Sequence, residues 1–461
     1  MVSKRILRFP AGFLWGCATS SYQCEGGNTN NQWYRWEQQG HILSGESCGV
    51  ACDWWQHAEV DFDLAEQMEN NALRLSLEWS RIEPEEGSWD SAAIERYREI
   101  LSNLRRRQIF PIVTLHHFTE PLWFVDRGGF TDPANIAFFV RYASYVIAQL
   151  QDLCGFWVTF NEPNTYAFMG YMLGYFPPGA RDLKCTALVL RNILQAHVEA
   201  FYAMSALQPT ALIGYCLHYC LFDPTRPLWP LDVTAAVVQE DSFNWNILKA
   251  AETGKFAFPL NFVLEPLKRA PGTRDYHGIN YYTRAMVRFG VMRFGDLFAH
   301  RFNRLGAIIN DPGLEGTIGG PSYPYGLYHV LKCVYKRTRG NKPLYITENG
   351  FNDVWDERRP RAILEHVAQL HRAIQEGIPV RGYLHWTLTD NFEWNSGWRA
   401  RFGLIELDQH NQKRTPRGSA SLFGEICRAN ALTEEIVERY APDAVDTIFG
   451  TPEQAQRVST G

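Results

Sequence analysis

The chain has 461 residues, of which 46% are hydrophobic and 21% charged, a composition typical of a globular protein with a large buried core. Its 45 basic and 50 acidic residues are spread along the chain and give a net charge of −5, so no basic surface for nucleic acid or anionic lipid is predicted. The sequence has neither a secretory signal nor an apolar run of about 18 residues. We therefore expect a cytoplasmic protein that lacks a membrane segment and binds a neutral small molecule.

Cysteine, histidine and tryptophan usage narrows the chemistry further. The ten cysteines form no Cys-x-x-Cys pair, and Cys154 and Cys216 lie in apolar strand-like runs, so reduced structural thiols are expected. The histidines lack the spacing of common zinc sites, and no metal or cofactor is predicted. The 15 tryptophans fit either a sugar-binding site, where indole rings stack on C–H faces, or a tryptophan-rich core.

Eight strand-like segments follow one another along the chain, each a short run of β-branched, aromatic and aliphatic residues. In chain order they are Phe13 to Ser20, Ala72 to Trp79, Phe110 to Phe118, Phe156 to Phe160, Ala211 to Tyr219, Tyr276 to Tyr282, Leu344 to Thr347 and Gly382 to Leu388. Longer amphipathic stretches separate them. Asp132 and Pro133 begin one that runs to Leu150, as N-cap and first helical residue, and another covers Pro360 to Glu376.

This alternation predicts a fold of the α/β class, a single-domain (β/α)8 TIM barrel. An open doubly wound sheet is less consistent with the pattern, because the Gly-x-Gly-x-x-Gly of a dinucleotide fold is absent after the first strand. No linker or repeat divides the chain. Residues 1–445 are therefore predicted to form the barrel, followed by a polar C-terminal tail over residues 446–461.

Polar residues cluster where seven of the eight predicted strands end, and the fifth strand contributes none. They are Gln23, Glu25, Arg74, Glu78, Trp79, His116, His117, Asn161, Glu162, Asn280, Tyr282, Glu348, Asn349, Trp386, Asp390 and Asn391. A single one of these could be a solvated loop residue or a satisfied polar group in the core. Because a barrel of this kind carries its active site at the carboxyl ends of its strands, their convergence indicates a functional site.

Six sequence blocks in these positions carry a resemblance to glycoside hydrolase family 1, the β-glucosidase family, from Phe9 to about Ala441. The blocks occur in the family order and are Phe13 to Gly26, Thr114 to Phe118, Thr159 to Pro163, Gly278 to Thr283, Ile346 to Gly350 and Asp390 to Trp394. The resemblance implies hydrolysis of β-glycosides with retention, most simply as a β-glucosidase. Its implied ligand is a small β-glycoside or short oligosaccharide, as in carbohydrate metabolism or cellulose degradation.

The resemblance also implies unlike roles for two glutamates, Glu162 as general acid/base and Glu348 as nucleophile. A retaining mechanism requires two carboxyls roughly 5 Å apart, one ionised and one protonated. By similarity to the family, Arg74 and Tyr282 contact Glu348 and favour its charged form. Desolvation and the Glu348 charge are expected to raise the pKa of Glu162, and Asn280 completes the implied catalytic set.

Further positions resemble the subsite that holds the sugar. The implied sugar-binding residues are Gln23, His117, Asn161, Trp386, Glu393 and Trp394. Asn161 would bind the 2-hydroxyl, and Trp386 would form the floor of the subsite unless it is a core residue of the barrel. Glu393 implies an unphosphorylated sugar, because its carboxylate would repel a phosphate. Glu162 implies O-glycosides, because thioglucosidases of the family have Gln there.

Two loops depart from the family pattern. The chain reads His117-Phe118-Thr119-Glu120-Pro121 where the family commonly has His-Trp-Asp-x-Pro, so the Asp is absent, and residues 319–322 read Gly-Gly-Pro-Ser where a Trp commonly stacks on the leaving group. The preference for the leaving group is therefore open, and Trp123 and Trp355 are candidate platforms for it.

Two other classes of function remain as alternatives. A non-catalytic sugar-binding barrel would have lost one of the glutamates, and both are present. A Schiff-base aldolase or a metal hydrolase would need a lysine at a strand end or a metal-ligand motif, and neither pattern occurs. The choice among glucose, galactose and fucose, the extent of transglycosylation and the oligomeric state stay open.

Overall fold

The computed structural model of the chain describes residues 5–257, 260–262, 264–291, 297, 299–302 and 322–450. Its strands are β1 Ile6–Arg8, β2 Leu14–Ala18, β3 Ala72–Ser76, β4 Phe110–His116, β5 Phe156–Asn161, β6 Leu212–Pro224, β7 His277–Phe289, β8 Ala299–Phe302, β9 Leu344–Asn349, β10 Val380–Trp386, β11 Ile405–Leu407, β12 Arg414–Pro416 and β13 Ala431–Thr433. Each of the eight segments predicted to be a strand contains or overlaps one of these.

Eight of the strands form a closed parallel barrel. Around it the order is β6, β5, β4, β3, β2, β10, β9 and β7, and the pairing of β6 with β7 closes the ring. The strands were recognisable as apolar runs because a parallel barrel buries both faces of its sheet, and all five residues of β3 are buried. The predicted single-domain (β/α)8 barrel is confirmed.

Helices alternate with the barrel strands and cover the outside of the barrel. They are α1 Ser21–Glu25, α2 Gln32–Gln38, α3 Trp54–Gln67, α4 Trp79–Ile82, α5 Ser91–Arg106, α6 Leu122–Asp126, α7 Ile136–Leu150, α8 Pro163–Ala167, α9 Leu183–Leu207, α10 Pro230–Glu240, α11 Asn246–Thr253, α12 Pro324–Arg337, α13 Arg359–Gln375, α14 Gly418–Ala429, α15 Glu434–Tyr440 and α16 Val445–Phe449. The Asp132 side chain caps the turn before α7, as predicted.

Strands β6 and β7 extend well beyond the ends that the sequence predicts. They pair with each other as far as Pro224 and Val287, and β8 adds antiparallel to the outer part of β7. This pairing lies outside the barrel proper and depends on residues about 60 positions apart in the chain. A local sequence pattern does not reveal such an extension.

The two ends of the described chain contact each other. β1 pairs antiparallel with β13, and Arg5 forms an ion pair with Glu434. Helix α16 spans the boundary that the sequence analysis sets between residues 445 and 446, and its Ile448 and Phe449 pack against the core. Residues 446–449 of the predicted tail thus belong to this helix, while residues 451–461 lie outside the described residues and the division into barrel and tail stays a prediction.

The core contains most of the aromatic residues. Trp15, Trp33, Trp79 and Trp157 are among the largest fully buried side chains, so a tryptophan-rich core accounts for much of the tryptophan content. A smaller apolar cluster joins side chains from the barrel strands to Tyr282 and Trp386 at the carboxyl ends. All ten cysteines are free thiols, and eight of them are buried. In the part of the chain that the structure describes, no helix is both long and apolar enough to cross a membrane.

Candidate active site

All eleven predicted site residues are buried at the carboxyl ends of the barrel strands or in the segments that follow them. A continuous set of hydrogen bonds and ring contacts joins Gln23, Arg74, His117, Asn161, Glu162, Asn280, Tyr282, Glu348, Trp386, Glu393 and Trp394. None of them is more than 8% exposed. Residues from seven strand ends therefore form one site.

The carboxylate of Glu348, on β9, receives two strong hydrogen bonds. Arg74 Nη1 donates to its Oε1 at 2.5 Å, and the Tyr282 hydroxyl donates to its Oε2 at 2.7 Å. Both donors favour the charged carboxylate. Burial and the charge of Glu162 nevertheless outweigh them, and the pKa of Glu348 is raised to about 7. The contacts are those the sequence implied, whereas the rise in pKa was not expected.

Glu162, directly after β5, has neutral partners instead. Asn280 Nδ2 donates to its Oε1 at 2.8 Å, and hydrogen bonding by Thr165 also favours its charged form. Burial is the largest influence and raises the pKa of Glu162. Since Arg74 and Tyr282 donate directly to Glu348, a single negative charge shared by the two carboxyls belongs on Glu348.

Arg74 is the centre of the polar network. Besides Glu348, its guanidinium donates to Asn161 Oδ1 at 2.6 Å and to Thr114 Oγ1 at 3.0 Å. Strand β3 positions it, and the side chain is fully buried. A guanidinium that is held on several sides has a fixed orientation, so the direction from which it approaches the Glu348 carboxylate is fixed as well.

The orientation of Asn161 fixes the tautomer of His117. Because Asn161 Oδ1 accepts from Arg74 and from Asn280, its Nδ2 is the group that donates to His117 Nε2, at 3.0 Å. Burial and the nearby Arg74 lower the pKa of His117 well below its usual range, so the ring is neutral. Its proton therefore lies on Nδ1, which is buried and has no partner among the described residues. The site thus holds one unused donor.

Glu393 forms the other end of the network with Gln23 and Trp386. Gln23 Nε2 and Trp386 Nε1 approach its Oε2 at 3.3 and 3.4 Å, while the Gln23 oxygen accepts from Ser20. Burial raises the pKa of Glu393 to about 8, and the charges of Glu348 and Glu162 contribute. A carboxyl with this raised pKa is largely protonated at neutral pH, which weakens the repulsion of a phosphate expected from its carboxylate.

Aromatic rings line one side of the site. The His117 ring lies 5.8 Å from the Trp386 ring and 5.9 Å from the Trp394 ring, and Trp394 also stacks on Tyr22 at 6.1 Å. Phe118 packs edge-on against Trp394. These apolar faces beside polar groups suit a ligand that presents both hydroxyls and C–H surfaces.

Three non-glycine residues of the site adopt left-handed backbone conformations. Phe118, Glu162 and Trp394 have φ values of 68°, 44° and 47°. Such a conformation costs on the order of 1–3 kcal/mol for a residue with a side chain and persists only where surrounding contacts impose it. The site is therefore held in place by its surroundings rather than by local preference.

Several other polar residues at the strand ends bond to neighbouring residues and have structural roles instead. Glu78 accepts from Ser21 and Thr119, and Asp390 pairs with Arg417. His116 Nε2 lies 2.8 Å from Glu120. Thr119 and Glu120, in the loop that departs from the family pattern, therefore belong to a buried network of polar side chains.

The candidate platforms for the leaving group have different surroundings. Trp123 packs edge-on against Trp79 and Phe138 and donates to Glu83, which makes it a packing residue. Trp355 is 80% exposed. Of the altered loop at 319–322, residues 319–321 lie outside the described residues.

Four residues near the carboxyls escaped the sequence analysis, and one of them is Thr165, which hydrogen-bonds to Glu162. Thr114 and Thr347 lie within strands, where a buried threonine gives no polar signal, yet they bond to Arg74 and Asn280. His218 lies on β6, 3.6 Å from Glu162 Oε2. The prediction ended the fifth strand at Tyr219 and assigned no polar group to it, although alternation along that strand could have indicated His218. In the described ranges, no group of three or more His, Cys, Asp or Glu side chains could hold a metal ion.

Comparison with known proteins agrees with this geometry. The family model for glycosyl hydrolase family 1 matches residues 6–432. The chain is 30% identical to a β-galactosidase from Sulfolobus acidocaldarius, over 94% of this chain and 97% of the relative.

Solved structures resemble this chain over nearly its whole length as well. A β-glycosidase from Pyrococcus horikoshii has a TM-score of 0.86 and 36% identity, with coverage of 95% of this chain and 98% of that one. A family 1 β-glucosidase from Thermotoga maritima in complex with isofagomine lactam has a TM-score of 0.85 and 28% identity, with coverage of 93% and 100%. The chain belongs to glycosyl hydrolase family 1 and is a β-glycosidase.

Proposed function

We propose that this β-glycosidase is a retaining β-glucosidase that releases terminal non-reducing β-D-glucose from unphosphorylated O-glycosides, with β-galactosides and β-fucosides as further substrates. The observation that carries the proposal is the unlike surroundings of the two buried carboxyls. Glu348 accepts from a cation and a phenol, whereas Glu162 accepts from the Asn280 amide. A double displacement needs this difference between an ionised nucleophile and a protonated acid.

In the first step Glu348 attacks the anomeric carbon and forms a covalent glycosyl-enzyme. The bond from that carbon to the leaving oxygen breaks, and the Glu162 proton moves to this oxygen. Once bonded to the sugar, Glu348 no longer carries a negative charge, so the pKa of Glu162 falls. Glu162 then takes a proton from water, the resulting oxygen attacks the anomeric carbon, and Glu348 is released as a carboxylate.

The surroundings of the carboxyls support a hexose as the group transferred. His117 Nδ1 is an unused buried donor, and the Glu393 carboxyl can accept from sugar hydroxyls. Asn161, which contacts Arg74 and Asn280, is proposed to bind the 2-hydroxyl, where a hydrogen bond strengthens as positive charge develops on the ring. Trp386 and Trp394 supply apolar and N–H contacts to the same sugar.

The three sugars differ in few of these contacts. Glucose and galactose are epimers at the 4-hydroxyl, and Gln23 and Glu393 present both an amide and a carboxyl next to each other. Such a pair can exchange donor and acceptor roles. We therefore propose overlapping specificity with glucose preferred. Whenever Glu393 is ionised, its carboxylate repels a 6-phosphate, which supports the proposal of unphosphorylated substrates.

A panel of p-nitrophenyl β-glycosides tests the proposal. We expect the wild type to hydrolyse the glucoside best and Glu348→Gly to be inactive. Azide should rescue Glu348→Gly with formation of the α-glucosyl azide, because the small anion occupies the space of the removed carboxylate and attacks from that face. Wild-type activity in Glu348→Gly would refute the assignment, and an inactive wild type that binds glucose would favour the non-catalytic sugar-binding alternative.

Transglycosylation is a second expected activity of the same intermediate. An alcohol or sugar that reaches the glycosyl-enzyme can replace water in the second step. We expect alkyl β-glucosides to appear when the p-nitrophenyl β-glucoside is hydrolysed in the presence of an alcohol, with p-nitrophenol release exceeding glucose release. Equal release of the two products at every alcohol concentration would exclude it.

A further inference from the structure

The fifth barrel strand contributes a titratable side chain that the proposed mechanism does not use. On β6, His218 is in register with Asn280 on β7, so the two side chains approach Glu162 from neighbouring strands. Asn280 bonds to Glu162 Oε1, and His218 Nδ1 lies 3.6 Å from Glu162 Oε2. Thr165 Oγ1 is 3.2 Å from the same Nδ1.

The two oxygens of Glu162 therefore have different environments. Oε1 accepts from an amide, which cannot be a proton acceptor, so the transferable proton belongs on Oε2. Oε2 faces His218, whose Nδ1 also lies 3.2 Å from Thr165 Oγ1. Hydrogen bonding by Thr165 favours the charged form of Glu162. Thr165 and His218 therefore lie where they can stabilise the Glu162 carboxylate once its proton has passed to the leaving oxygen.

The position of the His218 ring is fixed by its backbone and by aromatic neighbours. Asn164 Nδ2 donates to the His218 carbonyl at 2.6 Å, and the His218 N–H donates to Asn164 Oδ1 at 3.3 Å. Tyr282 and Phe243 pack against the ring at 5.8 and 5.6 Å, respectively. Because Asn164 precedes Thr165, this clamp also ties α8 to β6.

Only one of the two ring nitrogens of His218, Nδ1, has polar neighbours among the described residues. Nε2 is buried and has no partner among the described residues, so the polar contacts of the ring lie on the Nδ1 side. Burial lowers the pKa of His218 to about 4, which leaves the ring neutral. If the proton lies on Nδ1, it is donated to Thr165 Oγ1, and the Thr165 hydroxyl proton is then free to be donated to Glu162.

We propose that His218 and Thr165 form a relay of hydrogen-bond donors that positions Glu162 and stabilises its carboxylate after the proton has passed to the leaving oxygen. The proposal rests on the proposed role of Glu162 as acid/base. No proton moves along the relay, and both residues act through Glu162 as positioning residues. The direct donor is Thr165, and His218 holds the hydroxyl in the donating orientation.

Other charged or titratable groups also act on Glu162, and the test has to separate them from the relay. They are Arg74, Cys216, Tyr282, Glu348 and Glu393. A substitution at Thr165 or His218 replaces none of these five, but Tyr282 packs against the His218 ring, so a change seen only in the His218 variant does not count. A change in the titration of Glu162 common to variants at both positions is therefore attributable to the relay.

Thr165→Val and His218→Phe test the relay, with kcat/KM measured against pH. The basic limb reports the pKa of the acid in the free enzyme. Because donors to a carboxylate lower its pKa, we expect both variants to move the basic limb upward by about one pH unit. Thr165→Ser retains the hydroxyl and should return the limb to the wild-type position.

The leaving group gives a second readout that a merely structural role would not move. Departure of 2,4-dinitrophenolate needs little proton donation, whereas an alkyl leaving group needs a full proton. We expect kcat/KM of Thr165→Val to fall about tenfold for an alkyl β-glucoside and to change little for the 2,4-dinitrophenyl β-glucoside. Equal losses for the two substrates, with an unmoved limb, would overturn the relay.

Thr159→Val is the matched control, since Thr159 Oγ1 lies 2.7 Å from His197 Nδ1 in a similar buried pair away from the two carboxyls. It should lower thermal stability without moving the limb. If His218→Phe does not fold, the Thr165 variants decide the question alone.

Glu162→Gly distinguishes a failure of the proposed function from a failure of the relay. Azide should restore the activity of this variant and give the β-glucosyl azide. Without rescue the proposed function fails, whereas rescue with unmoved limbs refutes only the relay.

Discussion

At the scale of single residues, the two raised pKa values set the expected pH dependence. Glu348 attacks only when ionised, so activity should be lost as pH falls through about 7. Glu162 must be protonated, so activity should also be lost as pH rises through its raised pKa. We predict a bell-shaped profile of kcat/KM for the p-nitrophenyl β-glucoside, measured from pH 4 to 10. A flat profile over this range would contradict the assignment of the two carboxyls.

Tyr282 should shift the acidic limb of that profile. Its hydroxyl donates to Glu348 and lowers the pKa of that carboxyl, so Tyr282→Phe should move the acidic limb to higher pH. A hydrogen bond to a charged group contributes about 1.5–3 kcal/mol, which corresponds to a loss of about 10- to 150-fold in kcat/KM. The measurement is the pH profile of the variant against that of the wild type.

The neighbouring Tyr281 provides a matched control. It lies on the same strand, and its hydroxyl donates to the Tyr323 carbonyl at 2.7 Å, away from Glu348. Tyr281→Phe removes the same atom from a buried tyrosine and should leave the limb in place. If both variants shift the limb equally, the effect belongs to the packing of β7 and not to the bond with Glu348.

At the scale of elements, the alternation of strands and helices was predictable because it depends on local patterns. All eight barrel strands were found, and Asp132 was recognised as the cap that leads into α7. The extension of β6 to Pro224 was not, since it results from pairing with β7, whose residues are distant in the sequence. His218 was missed for another reason: it lies inside the predicted fifth strand, to which no polar group was assigned.

The ends of β9 and β10 are close enough that only glycine fits at position 350. A Cβ added there would lie 2.1 Å from the Trp386 carbonyl oxygen. Gly350→Ala should therefore push apart the two strand ends that carry Glu348 and Trp386. Since a displacement of about 1 Å can cost about 100-fold in rate, we expect kcat/KM to fall by about that factor. Activity and thermal melting of the purified variant measure the two consequences.

Gly382→Ala is the control at the opposite end of β10. Its Cβ would meet Leu14 Cβ, the Tyr345 ring and the Leu14 carbonyl oxygen at 2.9, 3.1 and 3.2 Å, which is a milder clash than the 2.1 Å approach to a carbonyl oxygen at Gly350. We expect a loss of stability with nearly normal kcat/KM. If Gly350→Ala keeps full activity, close approach of the two strand ends is not needed for the arrangement of the site.

At the scale of the whole molecule, the site is a set of buried groups whose titration opposes folding. The composition and motifs allowed its residues to be identified, but their pKa values depend on burial contributed by every surrounding element. Glu162, Glu348 and Glu393 all have raised pKa values because of desolvation. No local sequence pattern records this, which explains why Glu348 was expected to be held ionised without a rise in its pKa.

Glu393 should therefore lower the stability of the protein as pH rises. Its pKa is about 8 in the folded chain and about 4.3 when unfolded, so between these values the folded state holds a proton that the unfolded state releases. The stability it contributes is full below about pH 4.3 and is lost as pH rises through about 8.

Glu393→Gln removes the ionisation, and the glutamine oxygen can still accept from Gln23 and Trp386. We expect the melting temperature of the variant to equal that of the wild type near pH 4.5 and to exceed it by several degrees at pH 8.5. Glu66→Gln, at an exposed carboxylate, controls for the loss of one negative charge and should leave the melting temperature nearly unchanged. A difference between Glu393→Gln and the wild type that stays constant from pH 5 to 9 would show that Glu393 is already ionised in the folded protein.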